Sequence, residues 1–308
     1  MPRLVAVVMA AGQGTRMKSS TPKVLHDLCG WPLVRWPVEA ALTAGADAVV
    51  VVGGPDRAVD GHLPDGVDVA VQEQARGTGD AVRSAASFID ADDTVVVLSG
   101  DVPLISSDAI RSLAYAHHKG DVPATMATMI LDDPGSYGRV VRDEDDHVVK
   151  VVETKAPGDA TPAELAIQEV NTGIYAFTGG PLVDALGQIR ADNAQGEYYL
   201  PDVLPIMGKT RAHVVDDPTL TLGVNDRVHL AEVRALAQRR INAEHARNGV
   251  TIVHPDATAI DVTVTIGADA VIEPGCVLRG ATSVGSGSTI GPSTTIVDST
   301  VGDGCKVL

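Results

Sequence analysis

Residues that could bind phosphate follow the first apolar segment of the chain. Leu4–Met9 is a continuous apolar run, and it leads into Ala10-Ala11-Gly12-Gln13-Gly14-Thr15-Arg16-Met17 and then Thr21-Pro22-Lys23. Glycines after a buried strand let backbone N–H groups approach phosphate oxygens, and this turn of a parallel sheet often binds nucleotides. The loop is neither a Walker A motif nor GxGxxG, and glycines alone would also suit a purely steric turn. Arg16 and Lys23 add local positive charge, which favours an anion site.

A carboxylate follows a second predicted strand. Thr94–Leu98 is an apolar, β-branched run that ends at Ser99-Gly100-Asp101. Because the carboxyl ends of parallel strands open into one crevice, Asp101 is expected to face the glycine loop. Mg²⁺ takes one or two carboxylates together with substrate phosphates, so Asp101 is a candidate ligand. The alternative is a cap of the following helix, for which Ser106 or Ser107 is better placed.

The sequence shows no motif typical of nucleophilic catalysis or of metal binding by thiolates. There is no recognisable Ser/His/Asp or Cys/His set. We interpret His26 as structural, and His117 and His118 as exposed helix positions. The cysteines, Cys29, Cys276 and Cys305, lack CxxC spacing and are expected to be reduced thiols without a functional role.

Alternating strands and helices must position the candidate residues. The pattern predicts helices over Trp31–Ala44 and Gly77–Phe88 and a strand over Ala48–Val52. Looser β-rich segments follow, around Arg139–Val141, Val148–Glu153 and Asn171–Phe177. This order predicts an α/β fold, a Rossmann-like doubly wound mixed sheet over residues 1–225.

The remainder of the chain has a different pattern. Residues 225–249 read as one long helix, begun by Asn225 or Asp226 and stopped by Gly249, so 226–249 is a predicted linker. From Val250 onward apolar residues recur every six positions: Ile260, Ile266, Ile272, Leu278, Val284, Ile290 and Ile296. This period predicts a left-handed parallel β-helix over 250–308, with a β-meander as the weaker alternative. The chain stops within a repeat, so we expect a shortened form, by truncation or by nature.

Composition limits the classes of partner. The 308 residues carry a net charge of −16, which argues against nucleic acid as a general partner. Aromatics make up 3% and hydrophobic residues 44%, as expected for a core of Val, Ala, Leu and Ile. No segment reaches transmembrane length and the N-terminal run is read as a strand, so a cytoplasmic protein without membrane contact is predicted.

The motifs taken together resemble one family. The segments AAGQGTRM…PKVLH, QEQARGTGDA, GDVPL, YGRVV, VVETK, EVNTGIY, NAQGEYYLPD and GVNDR occur in the order found in the bacterial bifunctional N-acetylglucosamine-1-phosphate uridylyltransferase/glucosamine-1-phosphate acetyltransferase (GlmU) family. The resemblance covers essentially the whole chain. The glycine loop with PK alone would indicate only the wider class of sugar nucleotidyltransferases.

The resemblance implies a role for each matching residue. It implies that the nucleotide is bound by Ala10, Ala11, Gly12, Gly14 and Thr15. It also implies that Gln72, Gly77 and Thr78 contact the edge of the uracil base. It implies that Arg16 and Lys23 are catalytic cations holding the triphosphate, and that Asp101 and Asn225 ligate Mg²⁺. The amino sugar and its acetyl group fall to Gly138, Glu153, Asn171 and Tyr199. Non-functional interpretations remain open for four of these residues: Gln72 and Glu153 could be solvated residues, Tyr199 a core aromatic and Asn225 a helix cap.

The implied reaction is Mg²⁺-dependent uridylyl transfer. UTP and N-acetylglucosamine 1-phosphate would give UDP-N-acetylglucosamine and pyrophosphate, a step toward peptidoglycan, cell-wall biogenesis and cell shape. The residues of the family's acetyltransferase site lie further along the β-helix, so acetyl transfer is not expected of this chain. β-Helices of this type trimerise along flat faces, so a homotrimer is one expected assembly. The alternatives are thymidylyl or guanylyl transfer to another sugar 1-phosphate, and a non-catalytic regulatory subunit.

Overall fold

The first apolar segment is a strand buried on both sides in the computed structural model, which describes residues 2–12, 14–135, 137–154, 160–193 and 195–308. Gln13, Lys155 and Ala194, which occur in the quoted motifs, lie outside the described residues. The chain divides into two units: Met1–Thr15, Ser19–Leu25 and Leu33–Gly223 form the first, and Arg16–Lys18, His26–Pro32 and Val224–Leu308 the second. The boundaries proposed above, 1–225, 226–249 and 250–308, remain predictions.

The first unit is built on a mixed nine-stranded sheet. Its strands are β1 (Leu4–Met9), β4 (Ala48–Gly53), β5 (Asp68–Val71), β6 (Thr94–Ser99), β7 (Ala124–Ile130), β8 (Arg139–Arg142), β9 (Val148–Val152), β10 (Glu169–Thr178) and β11 (Thr210–Val214). The order is β11-β7-β10-β6-β1-β4-β5, with β8 paired to β10 and β9 to β8. Strands β6, β1, β4 and β5 are parallel, whereas β10 runs antiparallel to both neighbours.

Helices cover both faces of this sheet. The helices described in this unit are α1 (Arg35–Thr43), α2 (Thr78–Ser84), α3 (Ser107–Gly120), α4 (Pro162–Leu165), α5 (Gly179–Leu186) and α6 (Val203–Met207). Val5 and Val7 of β1 pack in a cluster with α2, α5 and α6, while Ala6 and Val8 pack in the opposite cluster with α1 and α3. Burial on both faces explains the continuous apolar run of β1, and the arrangement confirms the predicted doubly wound α/β fold.

Two predicted helices have different limits in the structure. The helix predicted over Trp31–Ala44 begins at Arg35, because Trp31–Pro32 forms β3 and pairs with β2 (Asp27–Leu28) in the second unit. Proline disfavours a helical conformation in the residue before it and cannot donate a backbone bond. The helix predicted over Gly77–Phe88 is α-helical only from Thr78 to Ser84, since Gly77 has a φ of +106° and Ala86–Phe88 forms a 3-10 turn.

The prediction that His117 is an exposed residue is wrong. His117 is 4% exposed because it lies on the same face of α3 as the buried Ile110 and Leu113, at helical spacing. Its ring nitrogens lie 3.1 Å from Thr125 Oγ1 and 3.3 Å from Thr178 Oγ1. His118 is exposed as predicted, and His26 is buried, in agreement with its structural interpretation.

We expect His117 to make the folded protein sensitive to acid. Burial, with the neighbouring His118 charge, lowers the pKa of His117 from 6.5 to about 4. The unfolded chain therefore binds a proton between these values and the folded chain does not. The stability contributed by neutral His117 is complete above pH 6.5 and is lost as the pH falls toward 4, by about 3 kcal/mol in all.

Urea unfolding at pH 7.5 and pH 4.5 measures this contribution. The wild-type protein should lose more unfolding free energy between the two pH values than the His117→Gln variant, in which the titrating group is absent. His118→Gln is the matched control and should retain the wild-type difference. Equal pH dependence in wild type and His117→Gln would show that His117 titrates normally.

The second unit contains the long helix. It is α7 (Arg227–Arg247), and it begins after Asp226, whose carboxylate accepts from the N–H groups of Val228 and His229 at 2.9 and 3.0 Å. Asp226 is therefore the cap, and Asn225 is not. Within the described part of the chain, no helix is both long and apolar enough to cross a membrane.

The strands after α7 stack in parallel on three sides, which confirms the predicted β-helix. They are β12 (Thr251–Ile252), β13 (Ala259–Ile260), β14 (Thr265–Ile266), β15 (Val271–Ile272), β16 (Val277–Arg279), β17 (Ser283–Val284), β18 (Thr289–Ile290), β19 (Thr295–Val297), β20 (Thr300–Val301) and β21 (Lys306–Val307). The three stacks are β12-β15-β18-β21, β13-β16-β19 and β14-β17-β20. Small residues two positions before the apolar ones form a second buried column: Val264, Ala270, Cys276, Thr282 and Ser288.

Truncation of an inward residue should destabilise this unit. Leu278 is 0% exposed, so Leu278→Ala removes buried methyl groups and leaves a cavity, at a cost of about 2–5 kcal/mol. Val297, next to Leu278's partner Ile296 in the same stack, is 48% exposed, and Val297→Ala is the control. Urea midpoints followed by circular dichroism measure both. Equal midpoints for the two variants would contradict the inward packing of Leu278.

Candidate active site

The carboxyl ends of β1 and β6 lie side by side at one edge of the first unit's sheet. The strands are paired to their last residues, Met9 and Ser99. The Gly100 N–H then donates to the Met9 carbonyl at 2.8 Å, and a Cβ at position 100 would lie 2.9 Å from that oxygen. Because only glycine tolerates this approach, the loop after β1 and the segment holding Asp101 leave the sheet together.

A cleft of about 470 Å³ opens at this edge. It is lined by parts of the loop after β1, the turn at Lys23, the start of α2 and the end of β6. Many predicted site residues line it, namely Ala11, Gly12, Lys23, Gln72, Gly77, Thr78 and Asp101. A depression of about 440 Å³ shares Ala11, Gly12 and Gln72 with the cleft and adds Ala10. The structure thus brings the predicted phosphate, uracil and metal residues of this unit onto one surface.

Lys23 and Asp101 form an ion pair inside the cleft, between Nζ and Oδ2. Their side chains are 13% and 18% exposed, so the pair is largely shielded from water. Ser99 Oγ donates to the other carboxylate oxygen at 2.6 Å. Gly14, with a φ of +60°, makes room for the Lys23 stem, because a Cβ there would overlap Lys23 Cβ. A phosphate can replace Asp101 as the partner of the Lys23 ammonium, which frees the carboxylate for a metal cation.

The donor chemistry at Asp101 fits a hard divalent cation. Both carboxylate oxygens are already bonded, one of them to a cation, so the position is suited to positive charge. Among the described residues, no group of three or more His, Cys, Asp or Glu side chains could hold a metal ion. A cation here would need substrate and water oxygens to complete its shell, which is how Mg²⁺ usually binds.

Arg16 and Asn225 are joined within the second unit. Arg16 Nη2 donates to Asn225 Oδ1 at 2.8 Å, and Arg16 is an exposed residue of a 3-10 turn that begins at Thr15. The interpretation of Asn225 as a helix cap is wrong, because Asp226 fills that role, and the side-chain oxygen of Asn225 accepts from Arg16 instead. Asn225 and Asp101 belong to different units, so their joint coordination of one ion stays a prediction.

The predicted uracil side of the cleft centres on Gln72. Its side chain is 4% exposed, so the interpretation as a solvated residue is wrong. Nε2 donates to the Gly77 carbonyl at 3.1 Å and to Asp80 Oδ2 at 2.9 Å. A Cβ at Gly77 would lie 2.5 Å from the Tyr198 carbonyl oxygen, so this position requires glycine. Thr78 Oγ1 accepts from the Leu200 N–H at 2.9 Å, which fastens the start of α2.

The predicted sugar residues Gly138 and Asn171 are neighbours: Gly138 directly precedes β8, and Asn171 lies in the adjacent strand β10. The Asn171 N–H donates to the Gly138 carbonyl at 2.9 Å, and a Cβ at Gly138 would lie 2.8 Å from Val151 Cγ1. Asn171 is half-buried. Its Oδ1 accepts from the Gly173 N–H and the Tyr175 hydroxyl, both at 2.9 Å, so the amide Nδ2 is the group left for a ligand.

Glu153 and Tyr199 are both half-buried. Tyr199 Oη donates to Gln195 Oε1 at 3.1 Å, so its hydroxyl reaches a polar partner rather than an apolar core. Burial raises the pKa of Tyr175 and of Asp202, and the negative charge of Glu153 raises each further. Within the described part of the chain, none of the four predicted sugar residues lines the 470 Å³ cleft.

The structure adds residues that the sequence did not single out. Glu197 and Ser99 line the cleft, and Asp80 lies behind Gln72. Glu197 stands inside the quoted motif NAQGEYYLPD, but an acidic residue in a loop carries no periodic signal. Ser99 directly precedes the Gly100-Asp101 pair, and this adjacency to a candidate ligand is the signal that could have identified it.

Parts of both units match known protein families. Residues 6–143 match the family model described as MobA-like NTP transferase domain, and residues 263–298 match the one described as bacterial transferase hexapeptide (six repeats). The bifunctional protein GlmU of Caldanaerobacter subterraneus subsp. tengcongensis is 46% identical over 312 residues, covering 100% of this chain and 68% of the relative. That of Mycolicibacterium vanbaalenii is 47% identical over 316 residues, covering 98% and 64%. The chain spans about two thirds of the length of these relatives.

The relatives confirm the predicted family and enzyme class. The Listeria monocytogenes GlmU is 44% identical over 309 residues, covering 98% of this chain and 67% of its own. The matches confirm a nucleotidyltransferase domain followed by hexapeptide repeats. They also support a divalent metal ion as cofactor, and a nucleotide and a sugar phosphate as substrates. The motifs, the cleft and the identity over the whole chain lead to one conclusion: this chain belongs to the GlmU family.

Proposed function

We propose that this chain transfers the uridylyl group of UTP to N-acetylglucosamine 1-phosphate, with release of pyrophosphate. The observation that carries the proposal is the Lys23–Asp101 pair in a cleft formed where β1 and β6 end, beside the glycine loop. Membership of the GlmU family supports the same reaction. The product, UDP-N-acetylglucosamine, is a precursor of peptidoglycan and so of the cell wall.

The reaction is a direct displacement at phosphorus. A phosphate oxygen of the sugar 1-phosphate attacks the α-phosphorus of UTP, and the bond from that phosphorus to the bridging oxygen breaks. The electron pair leaves with pyrophosphate. Because the nucleophile is already anionic, no general base and no covalent intermediate are needed, and catalysis depends on positioning and on neutralising charge.

The chain's own groups supply that positioning. Lys23 exchanges Asp101 for a phosphate oxygen, and Arg16 supplies a second cation. The backbone at Ala10, Ala11, Gly12, Gly14 and Thr15 holds the nucleotide. A bound Mg²⁺ would neutralise charge on the phosphates, held by Asp101 with Asn225 as the second proposed ligand. Asp101 would therefore bind a cation in both states, the ammonium of Lys23 at rest and the metal ion during turnover.

The sugar is proposed to bind through the paired strands β8 and β10. Asn171 Nδ2 is oriented to donate, because both Gly173 and Tyr175 occupy its oxygen. Gly138 brings bare backbone to the same place, where a side chain would collide with Val151. Glu153 and Tyr199 complete the proposed sugar set. An acetamido group offers one carbonyl and one N–H, which suits a site with donors and acceptors of this kind.

The alternatives are less well supported. Family membership does not favour thymidylyl or guanylyl transfer. A non-catalytic subunit would have no need of a shielded Lys23–Asp101 pair in an open cleft. Assembly as a homotrimer through the β-helix, and action in the cytoplasm, belong to the proposal and follow from the resemblance to GlmU.

A substrate matrix tests the proposed reaction. Pyrophosphate release is measured with Mg²⁺ for UTP, dTTP, GTP and CTP against the 1-phosphates of N-acetylglucosamine, glucose and mannose. The proposal predicts a peak for UTP with N-acetylglucosamine 1-phosphate. A peak at another pair would keep the chemistry and reject the substrates, and folded protein that is silent in every combination would favour the non-catalytic alternative.

A further inference from the structure

A buried carboxylate with no assigned role lies behind the uracil side of the cleft. Asp80 is 5% exposed and belongs to the first turn of α2. Its side chain accepts bonds from Gln72, Arg76 and Arg83. A helix cap does not explain it, because Asp80 lies inside the helix and its partners are side chains. Burying a charge is costly unless it is hydrogen-bonded, so the role of Asp80 is to be found in the side chains that it orients.

Its contact with Gln72 decides how that amide is oriented. Gln72 Nε2 donates to Asp80 Oδ2 at 2.9 Å and to the Gly77 carbonyl at 3.1 Å. Both partners can only accept, so the nitrogen must face them and Oε1 must point elsewhere. Among the described residues, none donates a hydrogen bond to Gln72 Oε1. Because Gln72 lines the cleft, this oxygen is the acceptor that the side chain can offer to a ligand.

We propose that Asp80 is a positioning residue that selects uracil over cytosine by fixing the Gln72 carboxamide with its oxygen toward the base. This inference rests on the proposed function, since it requires the base to bind at Gln72. Uracil carries an N–H at N3, which donates to a carbonyl oxygen. Cytosine carries a bare acceptor at N3, which would face the same oxygen and repel it.

The surroundings keep Asp80 an obligate acceptor. Arg76 Nη2 lies 3.3 Å from its Oδ1, which also accepts from Arg83. Both guanidinium groups lie over the Tyr198 ring, at 5.9 and 4.8 Å from its centroid. Burial raises the pKa of Asp80, but the bonds from Gln72 and Arg83 and the charge of Arg76 outweigh it, and the pKa is lowered. The carboxylate is therefore ionised at neutral pH and has no proton to donate to Gln72.

The variant Asp80→Asn tests the orientation. The arginines hold the single oxygen of the new amide on their side, so its NH₂ group faces Gln72. Turning the Gln72 oxygen inward would then gain the bond from this NH₂ group and lose the bond to the Gly77 carbonyl. The two orientations of the Gln72 amide therefore become comparable in energy, and its own NH₂ group can face the cleft and donate to cytosine. We expect the ratio of kcat/KM for UTP to that for CTP, with N-acetylglucosamine 1-phosphate, to fall at least about tenfold.

Controls separate orientation from stability. Asp93→Asn changes another buried aspartate, which is 4% exposed and accepts from Arg3 and from the Asp90 N–H. Asp93 directly precedes the first residue of β6, at the end of the strand away from the cleft. The Asp93→Asn variant should keep the wild-type ratio, since a purely structural defect would lower both rates together. Asp80→Ala, which leaves Gln72 with the Gly77 carbonyl alone, is the second variant and should also lower the ratio.

Each outcome bears on a different claim. A lowered ratio in the folded Asp80 variants supports the inference. An unchanged ratio, at any overall rate, overturns it and leaves the proposed function standing. Failure of both Asp80 variants to fold would assign Asp80 to stability and also overturn it. A wild-type protein that does not use UTP would reject the proposed function itself.

Discussion

Lys23→Ala should lower kcat by about 10²–10³-fold, the loss typical of removing one donor that stabilises charge in a transition state. Two anions meet in the proposed reaction, and among the residues that the structure describes Lys23 is the cation that lines the cleft. Its ammonium is held by Asp101 in a shielded position, so it is in place before substrate arrives. Preorganisation of this kind is what makes a charge effective in catalysis.

The Lys23 experiment needs variants that separate charge from packing. Lys23→Met keeps an apolar stem against Gly14 and removes only the charge, so it should lose as much activity as Lys23→Ala. Lys209→Ala, at an exposed lysine of the same unit, should retain wild-type turnover. Thermal unfolding confirms that each variant is folded. A folded Lys23→Met enzyme with wild-type kcat at limiting Mg²⁺ would contradict the assigned role.

Asp101→Asn should have an effect of similar size, about 10²-fold or more in kcat, through loss of the metal ligand and of the partner of Lys23. An amide preserves the shape but removes the negative charge that a divalent cation requires. The residual rate should need a higher concentration of Mg²⁺. Asp68→Asn, at the exposed first residue of β5, is the matched control.

Binding gives a second readout for Asp101 that does not depend on turnover. Calorimetric titration of UTP, with and without Mg²⁺, should show that the metal strengthens binding to the wild-type protein and to Asp68→Asn. The Asp101→Asn protein should bind metal-free UTP at least as tightly as the wild type, because the carboxylate that competes for Lys23 is absent, and it should gain little from Mg²⁺. A full Mg²⁺ response in both binding and rate would show that another group holds the ion.

The main site could be anticipated because it depends on short sequence segments at strand ends. The apolar run before the glycine loop and the run before Asp101 each predict a buried strand, and parallel strands end at the same edge. Their pairing places Met9 beside Ser99, which brings the loop and the carboxylate together. The ion pair between Lys23 and Asp101 could not be derived, because no local pattern reports a contact between such distant residues.

Other features escaped prediction for identifiable reasons. Asp80 reads as an ordinary acidic residue in the first turn of a helix, and only its contact with Gln72 distinguishes it. The burial of His117 follows from its helical spacing from Leu113, but the polar type of a histidine favours the prediction of an exposed residue. The buried column that includes Cys276 and Ser288 was missed because small residues contribute little to a hydrophobic pattern. In each case tertiary contacts, rather than residue type, determine the outcome.

The stereochemical course at the α-phosphorus of UTP tests the central claim, a single displacement by the sugar phosphate, most directly. A UTP analogue with one sulfur of defined configuration on the α-phosphorus is converted with N-acetylglucosamine 1-phosphate, and the configuration of the product is determined. One displacement predicts inversion, since one bond forms opposite the bond that breaks. Retention would require two displacements through a covalent intermediate on the protein, and it would contradict the account.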